Sequence, residues 1–583
     1  MTGGQTTIAG YLKQRLEELG LEQLFGVAGN YTAPFLDTIL EDETSPISIV
    51  GTPNELIAGY ACDGYARLKG IGAVAVTYGV GAFSLLNAVA GAAVEQVPMV
   101  VINGAPTNKE YQNLASTGLL YSHMMVDPYS NLDVYRRVAV NSVRVINAGE
   151  APYQIDAVLT ACVTHGLPVY LEVLEDVWRA PCPAPAGTLP RTQQSVTASG
   201  TQAAVNATLA MIQKYGKPLF WAGQEIQRQG VQDAFLALVD RSGFSFTTSL
   251  LGKSVVSEKH PGFLGVYSPS APEAMKQLVG GAGCLVGIGA WTTGKDTGNQ
   301  DILSDSVSLA AHGGVTVGPR FYPSVPLGDY IAALTEALDP RALKVEAYRP
   351  ARFVMPSLMK AVADPRVTFD EFFNTLNGWL RDDHAVVSDA GFPLVGAQNL
   401  TIPSASGFVA QASWLSIGYS TAAAIGVKFA QPDKRVVVVV GDGAFQETCQ
   451  AVSSHHYLGQ DTVVFVLANG IYGIEQKLVN PNAFRTLPVD YPQPLQNTVY
   501  SYNDLHAWDY EKLPLAFGGE GRRVRSVDEL AKVLAEIDAM PGTNFVVHVE
   551  IPKVHIPAAI RAHLGGAGED ETENAQWPPA LLF

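Results

Sequence analysis

Apolar residues along this chain gather into short β-branched runs. Each run is followed by a polar, glycine-containing turn and then by a stretch of helical period. The clearest instance is RVVVVVGDGAFQETCQAVSSHHYLGQDTVVFVLANGIYGIE, residues 435–475. The run at 435–440 has no polar alternation, as expected of a strand covered on both faces. It stops at Gly441-Asp442-Gly443. Residues 445–458 carry a helical pattern with no Pro or Gly inside it, and a second apolar run, 462–467, stops at Ala468-Asn469-Gly470. This spacing predicts one β-α-β unit with parallel strands and a right-handed crossover. Asp442 and Asn469 then stand at the carboxyl ends of neighbouring strands, where open α/β sheets bind ligands.

The pattern recurs from the start of the chain. Residues 8–19 predict an amphipathic helix, and 24–27 a strand ending in Ala28-Gly29-Asn30-Tyr31. Thr52 followed by Glu55, with Pro53 between them, reads as a capping box at a helix start. Leu56, Tyr60 and Gly64 share a face of that helix and are expected to pack on the sheet. Residues 77–104 echo the 435–475 stretch: Gly79-x-Gly81-Ala82-Phe83, a helix, an apolar strand, then Asn103-Gly104. This is a weak internal duplication. Val80 stands where the other copy has Asp442, so only the second copy is expected to bind a metal. Residues 165–173 read as a turn and a closing strand. A Pro-, Ala- and Thr-rich stretch at 179–200 marks a boundary. Beyond it helix and strand alternate again, as at 203–214, 218–222, 274–278 and 284–288. Gly281, Gly283 and Gly287 lack the spacing of a dinucleotide fingerprint. Residues 386–392 end another strand in a polar turn containing Asp389 and Gly391. Residues 414–418 are expected to open a Gly- and Ala-rich helix. A last helix and strand are expected at 527–537 and 545–551. The prediction is three doubly wound α/β domains with mostly parallel sheets, at 1–185, 200–345 and 360–565, followed by an acidic flexible tail at 566–583.

Composition narrows the class. The chain has 583 residues, 47% of them hydrophobic and 16% charged, with 56 Gly, as in a large, well-buried α/β enzyme. A net charge of −17 argues against nucleic acid and anionic membranes as partners. Cys62, Cys162, Cys182, Cys284 and Cys449 are scattered and form no Cys-x-x-Cys pair, as expected of reduced core residues. The first twenty residues lack the apolar core of a signal peptide, and no apolar run approaches a membrane span. A cytoplasmic protein is expected.

The 441–470 edge suits an anion with a metal. Its glycines let the backbone approach a ligand, and the helix start beyond them offers free N–H groups to a phosphate. Asp442 and Asn469 are oxygen donors of the kind Mg²⁺ takes alongside phosphate oxygens and water. A bare Gly-Asp-Gly is equally an ordinary capped turn; the Asn at the next strand end favours the metal-diphosphate.

Gly441-Asp442-Gly443 followed by Asn469-Gly470 resembles the thiamine diphosphate motif of the pyruvate decarboxylase-like enzymes, and the similarity covers nearly the whole chain. That motif usually closes with two Asn. Here it is Ala468-Asn469, which keeps the second, metal-binding position. The resemblance implies thiamine diphosphate and Mg²⁺ as cofactors, with Asp442, Asn469 and the carbonyl of Ile471 as metal ligands. It implies cofactor contacts at Gly79, Asp389, Gly391, Ser416, Gly441, Gly443, Ala444, Tyr472 and Gly473. Ile417 matches the apolar residue that bends the cofactor into a V, although composition alone would leave it as ordinary core. Glu55 matches the glutamate that hydrogen-bonds the aminopyrimidine. Glu475 matches the second catalytic glutamate, and Ser122-His123 falls at an adjacent His pair. The diphosphate and pyrimidine halves come from different subunits in this family, so a homodimer at least, and a homotetramer, is expected.

The resemblance also implies a reaction. The cofactor supplies the electron sink for decarboxylation of a 2-oxo acid. Glu475 and His123 are candidates to move protons at the reacting carbon. Decarboxylases carry Asp at the position of Asn30 and His at that of Ser122, so the usual relay is incomplete here. Slower protonation is expected, with carboligase (acyloin-forming) activity toward an acceptor aldehyde. Pyruvate-selective members commonly carry a bulky aromatic at the position of Gly391, so a 2-oxo acid larger than pyruvate is expected. A flavin-linked oxidase or acetolactate synthase-like enzyme of the same superfamily remains an alternative. So does a catalytically silent cofactor-binding paralogue, against which Glu55 and Glu475 speak.

Overall fold

The computed structural model describes residues 4–189, 198–268, 271–297, 302–353, 366–484 and 498–561. The expected tail at 566–583 and part of the 179–200 boundary lie outside the described residues. By contact the chain forms two units: Met1–Thr192 with Tyr419–Asp433 and Thr448–Gln460, and Gln193–Gly418 with Lys434–Glu447 and Asp461–Phe583.

The first unit is built on six strands: β1 (Gln23–Gly26), β2 (Ser48–Gly51), β3 (Gly72–Thr77), β4 (Met99–Ala105), β5 (Asn141–Val145) and β6 (Val169–Leu174). Their order is β2-β1-β3-β4-β6-β5, and every pairing is parallel. β3, β4 and β6 are buried at every position, which is why their sequences do not alternate. β4 runs on through Asn103-Gly104, where the sequence suggested a strand end.

Three helices matter for the site and its support: α1 (Glu55–Lys69), α2 (Val80–Val94) and α3 (Tyr419–Ala430). The face of α1 expected on the sheet instead meets α3. A Cβ on Gly64 would lie 2.4 Å from the Ala423 carbonyl oxygen, and one on Gly426 1.8 Å from that of Ala61. With glycine at both crossings the two backbones touch. The Tyr60 and Tyr419 rings meet edge-on at 5.4 Å, and the Tyr419 hydroxyl donates to Asp63 at 2.6 Å.

The second unit holds two sheets. The central one contains β7 (Pro218–Ala222), β8 (Phe246–Thr248), β9 (Phe263–Val266), β10 (Cys284–Ile288), β11 (Val307–Ala311), β12 (Gly314–Val317) and β13 (Arg320–Tyr322), in the order β9-β8-β7-β10-β11-β12-β13. Only the pairings made by β12 and β13 are antiparallel. The C-terminal sheet contains β14 (His384–Ser388), β15 (Phe408–Ala410), β16 (Arg435–Gly441), β17 (Val463–Ala468), β18 (Glu520–Val524) and β19 (Phe545–Glu550). Its order, β15-β14-β16-β17-β19-β18, is all parallel. It repeats the first unit's sheet strand for strand, so β16 and β17 correspond to β3 and β4. The internal duplication is faint in residues and complete in topology. The architecture is three α/β layers with mostly parallel sheets, as expected.

The central and C-terminal layers share one apolar cluster. A buried ion pair joins them: Lys253 Nζ contacts both Glu258 carboxylate oxygens at 2.9 and 3.0 Å and donates to the Leu400 carbonyl at 2.7 Å. The helix expected at 445–458 is two helices, α4 (Asp442–Thr448) and Ala451–Tyr457, separated by a turn at Cys449-Gln450. α4 starts at Asp442 itself, directly from the strand. The helix expected to open at Trp414 opens only at Tyr419, because Leu415 and Gly418 have φ values of 59° and 82°.

Candidate functional site

Two clusters of candidate residues form, one in each unit, both at the carboxyl ends of parallel strands.

In the first unit the cluster surrounds the end of β3. Gly79, with φ 67°, separates the strand from α2. Glu55 opens α1, but not through a capping box. Asn54 is the cap, its side chain accepting from the Ile57 N–H at 2.9 Å. Thr52 donates its hydroxyl to the Asn54 carbonyl instead, and Pro53 precedes the helix. The Glu55 carboxylate therefore takes no part in the cap, and one of its oxygens lies 3.4 Å from where a Cβ on Gly81 would sit. The Ser122-His123 turn lies on Gly79, where a Cβ would come within 2.5 Å of the His123 carbonyl oxygen. Asn30 is exposed in the turn after β1, and its neighbour Gly29 abuts Thr77 at the end of β3. Asn30, Glu55, Gly79, Ser122 and His123 are thus gathered around one strand tip. Sequence reasoning missed Thr77 and Tyr78 there. The Thr77 hydroxyl is buried without a hydrogen-bond partner among the described residues, and the Tyr78 hydroxyl donates to the Ser122 carbonyl at 2.8 Å.

In the second unit the cluster spans the tips of β14, β16 and β17. Asp442 is 3% exposed. Its two carboxylate oxygens accept from the Gly443 N–H at 3.0 Å and the Gly470 N–H at 2.6 Å. Burial nonetheless pushes its carboxyl up to about 7, opposed chiefly by those backbone N–H groups. Asn469 is 7% exposed. Its oxygen accepts from the Ile471 N–H at 3.3 Å, while its NH₂ group is buried without a partner among the described residues. Ile471 bridges to Asp504. That bridge uses the Gly470 carbonyl and the Tyr472 N–H and leaves the Ile471 carbonyl out of it.

Glycines shape this cluster where aromatic rings press in. A Cβ on Gly443 would fall 2.4 Å from the Tyr472 ring, and one on Gly473 2.5 Å from the Phe392 ring. Ala444 is buried, and Gly441 ends β16. Asp389 is fully buried and accepts from the Ala390 and Gly418 N–H groups at 3.0 and 3.1 Å, tying β14 to the Ser416–Gly418 loop. Ile417 is 37% exposed, so it is not core. Gly391 has φ 82°, which explains a glycine on conformational grounds, and the nearest atom to a Cβ there belongs to Ile474 at 3.5 Å. Glu475 is exposed in the first turn of α5 (Gly473–Val479).

The donor set of the second cluster fits a hard divalent cation. Asp442, a buried carboxylate short of counter-charge, is hydrogen-bonded to the Gly470 N–H in the turn that carries the Asn469 side-chain oxygen and the Ile471 carbonyl. These are oxygen donors of the kind such a cation takes, next to glycines and a helix start that suit a phosphate.

The description "Thiamine pyrophosphate enzyme, N-terminal TPP binding domain" matches residues 6–127. The corresponding central domain matches 205–309 and the C-terminal TPP binding domain 389–549. Among known proteins, pyruvate decarboxylase 1 of Pisum sativum is 29% identical over 546 residues, covering 91% of this chain and 87% of its own. Pyruvate decarboxylase 2 of Oryza sativa subsp. japonica is 29% identical over 571 residues, covering 94% and 89%. An alpha-keto-acid decarboxylase of Mycobacterium tuberculosis (strain CDC 1551 / Oshkosh) is 29% identical over 567 residues, covering 96% and 97%. The chain belongs to the thiamine diphosphate-dependent 2-oxo acid decarboxylase superfamily. As a member it is an enzyme of the carboxy-lyase type, and its cofactor is thiamine diphosphate, typically with Mg²⁺. No helix among the described residues is long and apolar enough to cross a membrane.

Proposed function

We propose that this decarboxylase acts non-oxidatively on a 2-oxo acid larger than pyruvate and joins part of its product to an acceptor aldehyde, forming an acyloin. The observation that carries the cofactor part of this reading is Asp442, a buried carboxyl held by two backbone N–H groups at the tip of β16. The substrate size rests on Gly391, where a Cβ would find no atom nearer than 3.5 Å. Asp442, Asn469 and the Ile471 carbonyl would hold Mg²⁺, with Gly441, Gly443, Ala444, Tyr472 and Gly473 along the diphosphate. Asp389 fixes the loop from which Ser416 and Ile417 reach the cofactor, and the exposure of Ile417 suits a residue that supports a bound ring. Gly79 lines the pyrimidine side. Thiamine diphosphate, when bound, supplies the electron sink for loss of CO₂.

Glu55 would hydrogen-bond the aminopyrimidine, and its freedom from the helix cap supports that role. Glu475 and His123 would move protons to and from the reacting carbon. Asn30 and Ser122 cannot replace an acid and an imidazole at neutral pH, which favours ligation over aldehyde release. The segments 1–185, 200–345 and 360–565 would serve as pyrimidine-binding, central and diphosphate-binding domains. The family resemblance, in which the pyrimidine and diphosphate halves come from different subunits, supports a homodimer at least, and a homotetramer. Five buried cysteines without disulfides support a reducing, cytoplasmic setting.

The test is CO₂ release from a panel of pyruvate, branched and aromatic 2-oxo acids, with cofactor and Mg²⁺, and product analysis with an added aldehyde. Turnover is expected to be highest for a branched or aromatic acid, with acyloin formed. Fastest turnover of pyruvate would overturn the size assignment, and no CO₂ from any acid would overturn the function.

A further inference from the structure

The turn that carries Ser122 and His123 is exposed, so little burial holds it. It is also strained. His123 has φ 66°, in the left-handed region that a large side chain adopts only when its surroundings enforce it. Tyr78 supplies the enforcement. It sits one residue beyond the end of β3, 4% exposed, its N–H donating to the Gly104 carbonyl at 3.0 Å. Its own position is therefore set by the sheet. From there its hydroxyl donates to the Ser122 carbonyl at 2.8 Å. One edge-on contact joins its ring to the His123 ring at 6.4 Å, and another joins it to Tyr31, next to Asn30, at 5.4 Å. Gly79 completes the seat by leaving room for the His123 carbonyl.

We propose that Tyr78 is a positioning residue: its hydroxyl fixes the Ser122 carbonyl, and its ring links the His123 turn to the Asn30-Tyr31 turn. The imidazole is thereby held over the strand tip in one orientation. Tyr78 touches neither substrate nor cofactor in this role; it acts through His123. The inference rests on the proton-moving role given to His123 above.

The test compares four holoenzymes: wild type, Tyr78→Phe, His123→Gln and the double variant. Each is measured for kcat, KM, aldehyde-to-acyloin ratio and melting temperature. Tyr78→Phe keeps the ring and removes the hydroxyl. It should lower kcat about fivefold, the worth of one neutral hydrogen bond, and lower the aldehyde share, while KM and melting stay near wild type. In the His123→Gln background the same substitution should change nothing further, because coupled residues are not additive. A Tyr78→Phe enzyme with wild-type kcat and product ratio overturns the proposal, and so does an equal loss in both backgrounds. If His123→Gln alone keeps full turnover, the role of His123 fails and that of Tyr78 with it. If His123→Gln loses turnover while Tyr78→Phe does not, only the positioning role fails.

Discussion

Replacing Asp442 by asparagine should make the cofactor-free protein more stable at neutral pH and abolish its stabilisation by cofactor. The reason is a buried charge without a counter-ion. Burial moves the Asp442 carboxyl from 3.8 to about 7. At pH 4 the group is protonated in the fold, and little is lost. As pH rises from about 4 to about 7 the unfolded chain releases its proton first, so the cofactor-free fold loses stability throughout that window. Above it the loss is constant. A rise of about three pH units at ~1.4 kcal/mol each amounts to ~4 kcal/mol. Asparagine never ionises, but its one oxygen can accept from only one of the Gly443 and Gly470 N–H groups, and its NH₂ meets the other as donor to donor, which costs ~1–3 kcal/mol at every pH. The cofactor-free variant should therefore be the less stable of the two near pH 4, gain on the wild type by ~1.4 kcal/mol per pH unit from about pH 4 to about pH 7, and end as the more stable. Urea unfolding of both proteins at a series of pH values measures the difference directly. Added cofactor and Mg²⁺ should then stabilise the wild type by mass action and leave the variant unchanged. Parallel pH profiles for the two proteins would refute the reasoning, because Asp442 would then not carry an uncompensated buried charge.

Three further outcomes are expected. Gly426→Ala puts a methyl group 1.8 Å from the Ala61 carbonyl oxygen, between touching helices, and should cost ~3 kcal/mol or more in unfolding experiments; wild-type stability would contradict the α1–α3 contact. Lys253→Met leaves Glu258 buried without its cation and should cost ~3–5 kcal/mol by urea titration, whereas a neutral result would mean the pair is not formed. Asn30→Asp should raise aldehyde relative to acyloin, read by chromatography of the products, and an unchanged ratio would remove Asn30 from the proton balance.

The parts of this molecule that were legible in its sequence are those decided locally. β16 and β17 lack polar alternation because both faces are covered, so their ends, and with them Asp442 and Asn469, could be located by reading along the chain. What escaped was decided by distant or very local geometry. The face of α1 containing Gly64 was expected on a sheet because its partner, α3, lies more than 350 residues away in the chain. Glu55 looked like half of a capping box because Thr52, Pro53 and Asn54 all suit a helix start. Only the extended backbone of Asn54, φ −157° and ψ 169°, selects it as the cap. Tyr78 carried no signal, since an aromatic beside a strand end is ordinary until its hydroxyl is found on Ser122. The duplicated sheet was faint in residues because topology is set by strand handedness and burial, which many sequences satisfy.

By hydrogen-bonding the aminopyrimidine, Glu55 would promote loss of the proton at the cofactor's C2 position, and hydrogen–deuterium exchange at C2 in the loaded protein tests that role most directly. In Glu55→Gln, with cofactor affinity checked by calorimetry and unchanged, exchange should slow about a hundredfold or more. Exchange at the wild-type rate in that variant would contradict the assignment of Glu55 and, with it, the proposed function.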